Sequence, residues 1–318
     1  MSLPSSLSHL RLPLIGAPLF IIAQPELVVA QCKAGIIGAF PALNARPPEL
    51  LDTWLTQIKL ELNREKEQFP NKIIAPFAVN QIVHASNERL QHDMELCVRH
   101  QVPIVITSLR PPGEVVTAVH SYGGLVFHDV ISVRHAQKAL EMGVDGLILV
   151  CAGAGGHAGT MSPFALITEV RKFWDGPLIL SGAMSKGEHI LAALAMGVDM
   201  AYMGTRFIAS LEAKASQTYK ESLVNSQASD IIYSNLFTGV HGNYLRSSIV
   251  AAGLDPDHLP IADKNTMDFS GSSTKAWRDI WGAGQSVSGI DSVESVEDIV
   301  AQLVLEFTQA KNKLCSHF

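Results

Sequence analysis

The sequence lacks the features that mark several large protein classes. No apolar run approaches the roughly 20 residues that a membrane-spanning helix needs. The four cysteines, Cys32, Cys97, Cys151 and Cys315, contain no CxxC pair. Thiols so few and so spaced argue for a reducing compartment, and the cytoplasm is the expected location. An excess of positive charge is also missing. Lys and Arg number 24 against 30 Asp and Glu, a net charge of -6, and the basic residues are scattered, which argues against nucleic acid and for a small-molecule partner. The 12 histidines show no HxxH, HxxxH or HExxH spacing, so no metal is expected. Neither a GxSxG elbow nor a Walker loop occurs, which removes support for serine-hydrolase and P-loop chemistry. The apolar start from Leu12 to Ala23 carries Pro13 and Pro18 and only Arg11 ahead of it, so it reads as a first strand and not as a signal-peptide core.

What the chain has is alternation. Hydrophobic residues make up 47% of 318 positions, enough for a large core in one unit. Short apolar or β-branched runs recur at Leu14–Leu19, Gly35–Ala39, Ile73–Val79, Pro103–Thr107, Leu125–His128, Gly146–Val150, Pro177–Leu180 and Met200–Met203. A helical stretch follows each, as where Ser132 caps a run through Val133, Ala136 and Leu140 that Gly143 closes. Two units ending EMGVDGLILV and AMGVDMAYMG look alike, as repeated βα units would. Eight strands in this order predict an α/β chain folded as a (β/α)8 TIM barrel, with active-site residues just after the strands. Residues 1–318 are expected to form one domain, in which 206–290 contain cap or decoration elements. Those include a helix near Leu211–Asn225, a glycine-rich stretch at Gly239–Gly242 and a polar segment near Asp263–Lys275; a last helix covers Ser292–Lys311.

Three loops carry the candidate chemistry. Gly153-Ala154-Gly155-Gly156-His157-Ala158-Gly159 follows the sixth predicted strand, where glycines let a backbone approach a flat ligand. A histidine mounted there can exchange a proton near neutral pH, with a hydrogen-bonded structural histidine as the equal alternative. Ser181-Gly182-Ala183 and Gly204-Thr205-Arg206 follow the seventh and eighth strands, where barrels often bind phosphate; simple turn glycines are the alternative. Asn80 closes the third strand in PFAVN and offers an amide donor and acceptor. Cys151 reads as a small buried thiol.

Taken together, GAPLF at 16–20, PFAVN at 76–80, HDVISVRHA at 128–136, GVDGLILVCAGAGGHAG at 143–159, LSGAM at 180–184, GVDMAYMGTRF at 197–207 and AGQ at 283–285 resemble the nitronate monooxygenase family. The resemblance implies a flavin barrel with His157 as the active-site histidine and Asn80 against the flavin. It further implies Gly182, Gly204 and Thr205 on the FMN phosphate, the backbone of Ala17, Pro18 and Leu19 beneath the ring, and Gln285 near the cofactor. The implied reaction is oxidation of an alkyl nitronate by FMN and dioxygen, with His157 stabilising the anion when protonated or acting as base toward a neutral nitroalkane. Asp129 departs from the family, some members of which carry Lys there. An FMN- and NAD(P)H-dependent enoyl-thioester reductase and an NADH:quinone reductase are alternatives on the same scaffold. A ligand-binding barrel without catalysis stands outside both.

Overall fold

Eight parallel strands form the centre of the computed structural model, which describes residues 3–4, 7–262 and 279–316. They are β1 (Leu14–Gly16), β2 (Gly38–Pro41), β3 (Phe77–Val83), β4 (Ile104–Leu109), β5 (Leu125–Val130), β6 (Gly146–Val150), β8 (Leu178–Ser181) and β9 (Met200–Met203); β7 (Gly156–His157) lies outside this sheet. Their order is β1-β9-β8-β6-β5-β4-β3-β2. A parallel bridge between Ile15 and Ile37 returns β1 to the approach of β2, with Gly16 N–H donating to Ile37 O at 2.8 Å and Ile37 N–H to Leu14 O at 3.1 Å. The sheet therefore comes round on itself as the expected barrel.

Alternation along each strand builds two cores. Ile15, Ala39, Ala78, Ile104, Ile106, Phe127, Ile148, Ile179 and Met200 fill the interior, while Leu14, Val79, Val105, Val126, Leu147, Leu149, Leu178 and Ala201 pack outward against the helices. Both faces of every strand are thus apolar, as buried parallel strands require. Leu7, ahead of β1, joins the interior cluster. Helices α1 (Pro25–Lys33), α2 (Leu50–Gln68), α3 (Leu90–Arg99), α4 (Gly113–His120), α5 (Val133–Glu141), α6 (Pro163–Val170) and α7 (Gly187–Ala195) form the connections. The Ser132 hydroxyl accepts from His135 N–H, as its capping role predicts. None of the helices among the described residues is long and apolar enough to cross a membrane.

Strand boundaries differ most from expectation at β1, β2 and β3, with β2 at Gly38–Pro41 in place of Gly35–Ala39. Pro76 has no N–H for the ladder, so β3 begins at Phe77 and runs on to Val83, which puts Asn80 inside a strand, paired with Pro41 and Ile106. The first strand stops at Gly16, and residues 17–23 form a loop instead.

The repeated Gly-Val-Asp unit has one structural job in both copies. Asp145 N–H donates to Val126 O at 2.9 Å while its carboxylate accepts from Val126 N–H at 2.7 Å. Asp199 pairs with Leu178 in the same way, at 2.7 Å and 2.9 Å. Asp199 satisfies the first N–H of the preceding barrel strand and Asp145 the second.

After β9 come α8 (Thr205–Ile208), α9 (Gln217–Val224), strands β10 (Ile231–Ser234) and β11 (Gly242–Leu245), α10 (Arg246–Ala251) and α11 (Val296–Cys315). The glycine-rich stretch at 239–242 leads into a strand: β10, β11 and β7 form an antiparallel three-stranded sheet. The polar segment near Asp263–Lys275 lies outside the described residues. Asp199 also accepts from Arg171 Nη2 at 2.8 Å, whereas the second partner of Asp145 is the exposed His120 at 2.9 Å. Asp199→Ala is therefore expected to cost about 2–3 kcal/mol and Asp145→Ala about 1–2 kcal/mol, a ranking that melting temperatures of the two variants would check.

Candidate active site

A cavity of about 350 Å³ opens at the carboxyl ends of the barrel strands, within the range of small-molecule and cofactor sites. Ala17, Pro18, Leu19, Asn80, His157, Gly204 and Thr205 all line it. Gly182 adjoins the lining residue Ser181. The Gln285 N–H donates to Gly153 O at 2.9 Å, in the loop whose Gly155 reaches the cavity.

The loop after β1 supplies one apolar wall through Ala17, Pro18, Leu19, Phe20 and Ile22. Buried Asn44 fixes it. Its Oδ1 accepts from Ile21 N–H at 2.7 Å, and its Nδ2 donates to Leu19 O at 2.9 Å and Ala23 O at 2.8 Å. These bonds hold β-branched Ile21 at φ +58°, a conformation that costs of order 1–3 kcal/mol. Leu109 (φ +82°) at the end of β4, Ala183 (φ +53°) after β8 and Gln101 (φ +48°) ahead of β4 are also left-handed. Three of these four, Ile21, Leu109 and Ala183, lie at or within two residues of the cavity lining.

His157 forms half of β7, and pairing of Gly156 and His157 with Asn243 and Gly242 seats its backbone. Asn243 Nδ2 donates to Ala154 O at 2.6 Å, and the Tyr233 hydroxyl donates to Ala158 O at 3.0 Å. The His157 Nε2 lies 2.8 Å from Thr238 Oγ1. That hydroxyl also lies 3.0 Å from Val240 O, so it can give its proton to the carbonyl or to Nε2, and the ring tautomer follows from which one takes it. The ring edge reaches the cavity, but protein surrounds most of it, and loss of hydration pushes its pKa down to about 4. His157 is therefore neutral at physiological pH, not the cation that the sequence allowed.

Across the cavity, Asn80 Nδ2 donates to Ser108 Oγ at 2.9 Å and Ser108 Oγ donates to Asp129 Oδ2 at 2.7 Å. Asp129 lines the cavity, and burial pushes its carboxyl up to about 7 against the Ser108 hydrogen bond, which lowers it. The Tyr202 phenol in the same wall is pushed well above its usual range by burial and then by Asp129. The Cys151 thiol is pushed up to about 12 by burial, which matches the reading of a small inert side chain.

The glycine loop and the segment at 282–285 meet backbone to backbone. A Cβ on Gly155 would lie 2.8 Å from Gly284 N, and one on Gly284 would lie 2.5 Å from Gly153 O. Thr205 Oγ1 accepts from Gly284 N–H at 2.9 Å. A Cβ on Gly204 would come within 3.2 Å of Leu19 Cδ2, so close approach of the β1 loop explains that glycine.

The nitronate monooxygenase family profile matches residues 2–306. The chain belongs to that family. Among curated relatives of this family member, a nitronate monooxygenase of Paraburkholderia phytofirmans is 26% identical over 221 residues, 64% of this chain and 60% of that protein. A Rhodococcus jostii protein, (3aS,4S,5R,7aS)-5-hydroxy-7a-methyl-1-oxo-octahydro-1H-indene-4-carboxyl-CoA dehydrogenase, is 25% identical over 238 residues, 75% of this chain and 64% of that one. The chain thus spans less than two thirds of the length of these relatives. The solved structure of a nitroalkane oxidase from Streptomyces ansochromogenes superimposes with a TM-score of 0.80 at 20% identity, covering 98% of this chain and 100% of its own, and shares the barrel fold. An oxidoreductase of the flavin type is the class that the family carries.

In this family member the residues that sequence patterns missed come from elsewhere in the chain: Asn44, Ser108, Thr238 and His241. Each is a common polar or aromatic residue with no motif of its own, and only the fold brings it to the cavity or to a residue lining it. Asn44→Ala would strand the Ile21 N–H and release two carbonyls, for a loss of roughly 2–4 kcal/mol. The expected result is a lower melting temperature with poorer retention of flavin; full retention would show that the β1 loop holds its shape without Asn44.

Proposed function

We propose that this protein is an FMN-dependent enzyme that oxidises alkyl nitronates with dioxygen to a carbonyl compound and nitrite. One observation carries the reading: His157 stands in the wall of an apolar-sided cavity beside a glycine cradle, in a chain of this family. The cradle fits a phosphate-bearing flavin. Among the described residues, the N–H groups of Gly182, Ala183, Gly204 and Thr205 donate to no backbone carbonyl, which leaves them for phosphate oxygens. Gly182, Gly204 and Thr205 would hold that phosphate. Ala17, Pro18 and Leu19 would lie under the ring, Asn80 would meet its polar edge, and Gln285 would support the cradle.

FMN, when bound, supplies the redox chemistry, taking electrons from the substrate and passing them to dioxygen. The protein supplies position and polarity. Leu19, Phe20, Pro41 and Val150 exclude water from the cavity, which strengthens each polar contact within it. With the Thr238 hydroxyl donating to Nε2, the neutral His157 ring carries its hydrogen on Nδ1 and would orient an anionic substrate by donating it, without neutralising the charge. The name of the Rhodococcus relative favours a second reading, redox chemistry on an acyl-CoA thioester.

Anaerobic mixing of the flavin-loaded protein with an alkyl nitronate, and separately with NADH, tests the choice. Bleaching of the flavin absorbance by the nitronate alone is expected, whereas bleaching by NADH alone would move the assignment to a reductase. Denaturation should release FMN, identifiable by mass; FAD would refute the cofactor. In His157→Asn a hydrogen bond to a charged group, worth about 1.5–3 kcal/mol, is lost or misplaced. The kcat/KM for nitronate should fall about ten- to a hundredfold at unchanged FMN content, and no loss would return His157 to a purely structural role.

A further inference from the structure

We propose that Asp129 is a second reactive group of this cavity: protonated, it donates a hydrogen bond to an anionic ligand, and ionised, it repels anions and acts as base toward neutral carbon acids. The proposal builds on the proposed function for its substrates, but its binding test depends only on the cavity taking a small ligand.

The geometry favours a poised acid. Strand pairing sets Asp129 beside Ser108, and the donor chain from Asn80 through Ser108 ends on its Oδ2. The other oxygen, Oδ1, is buried and has no partner among the described residues. A buried carboxylate without a cation or a full set of donors is costly, and taking up a proton relieves that cost. No lysine or arginine among the described residues lines the cavity. The titratable groups that share it are Tyr202 on β9, His135 on α5, His157 on β7, Tyr219 on α9 and His241 ahead of β11. Tyr202 and Tyr219 are held protonated by burial and His157 is held neutral, so none of the three offsets a carboxylate charge near neutral pH.

Toward a neutral nitroalkane the step balances without any redox partner. The C–H bond next to the nitro group breaks, the proton passes to the Asp129 carboxylate, and the bonding pair stays on the substrate as its nitronate. Toward a preformed nitronate the same residue must already hold its proton. The two substrates therefore call for opposite ionisation states of Asp129 and should give opposite pH profiles across the neutral range, where the carboxyl titrates.

Calorimetric titration of the flavin-loaded protein with butyrate, an inert anion, and with butyramide, its neutral analogue, tests this between roughly pH 5.5 and 8.5, with up to about a tenfold rise in butyrate Kd per pH unit expected above the Asp129 transition. The butyramide Kd should stay level. Asp129→Asn keeps the shape and an acceptor for Ser108, and should make butyrate binding independent of pH. Ser108→Ala removes a hydrogen bond that favours the ionised form, so the transition should move to higher pH. Parallel kcat/KM profiles should fall with pH for nitronate, rise for nitroalkane, and lose both trends in Asp129→Asn. An Asp129→Asn protein that keeps the wild-type butyrate slope, or a wild type without one, would overturn the proposal. If the butyrate pattern holds and nitronate is not turned over, the nitronate reading fails and Asp129 keeps its role. Nitronate turnover with identical pH profiles in both proteins would instead remove the role of Asp129 and leave the nitronate reading standing.

Discussion

A two-residue antiparallel ladder joins the barrel to the segment that roofs it. Gly156 and His157 pair with Asn243 and Gly242, and the wall on the His157 side of the cavity follows from that seam. Without it the glycine loop after β6 would be a flexible excursion of the kind glycine-rich segments make. With it, Thr238 fixes the His157 ring, Asn243 ties down Ala154, and His241 enters the lining. Backbone pairing defines the reactive side chain's position more sharply than side-chain packing on a loop would.

The ionisable groups of the cavity are pushed in opposite directions by one cause. Loss of hydration disfavours whichever form is charged. It lowers the histidine at position 157 and raises the carboxyl at 129, so both tend toward neutrality. With no fixed cation in the described wall, charge in this cavity is supplied mainly by what enters it.

Periodicity made the barrel legible in the sequence. The strands, the Ser132 cap and the paired Gly-Val-Asp turns all stand near where the pattern put them, because burial on both faces leaves a continuous apolar signature. Differences fall at strand ends. There Pro76 delays β3 and the residues after Gly16 leave the ladder, both local backbone effects that an apolar run does not report. The candidate site was half legible. Glycine-rich loops after strands drew attention to His157, Gly182 and Gly204, but the hydrogen bonds that govern the cavity span long separations, 81 residues between His157 and Thr238 and 28 between Asn80 and Ser108. No short motif encodes such pairs. Residues 231–234 and 242–245 carry no clear strand signal because their sheet is small and their partner is only two residues long.

The separation between His157 and its roof also imposes an order of events on a newly made chain. All eight barrel strands lie before residue 204, whereas Thr238 and the strand opposite His157 follow β9 by tens of residues. At ordinary rates of synthesis, the 81 residues between His157 and Thr238 take roughly 4 to 16 s to be added. For the last 35 of those residues, after Met203, the ribosome holds a chain that has every strand of its barrel and no means of aiming its histidine.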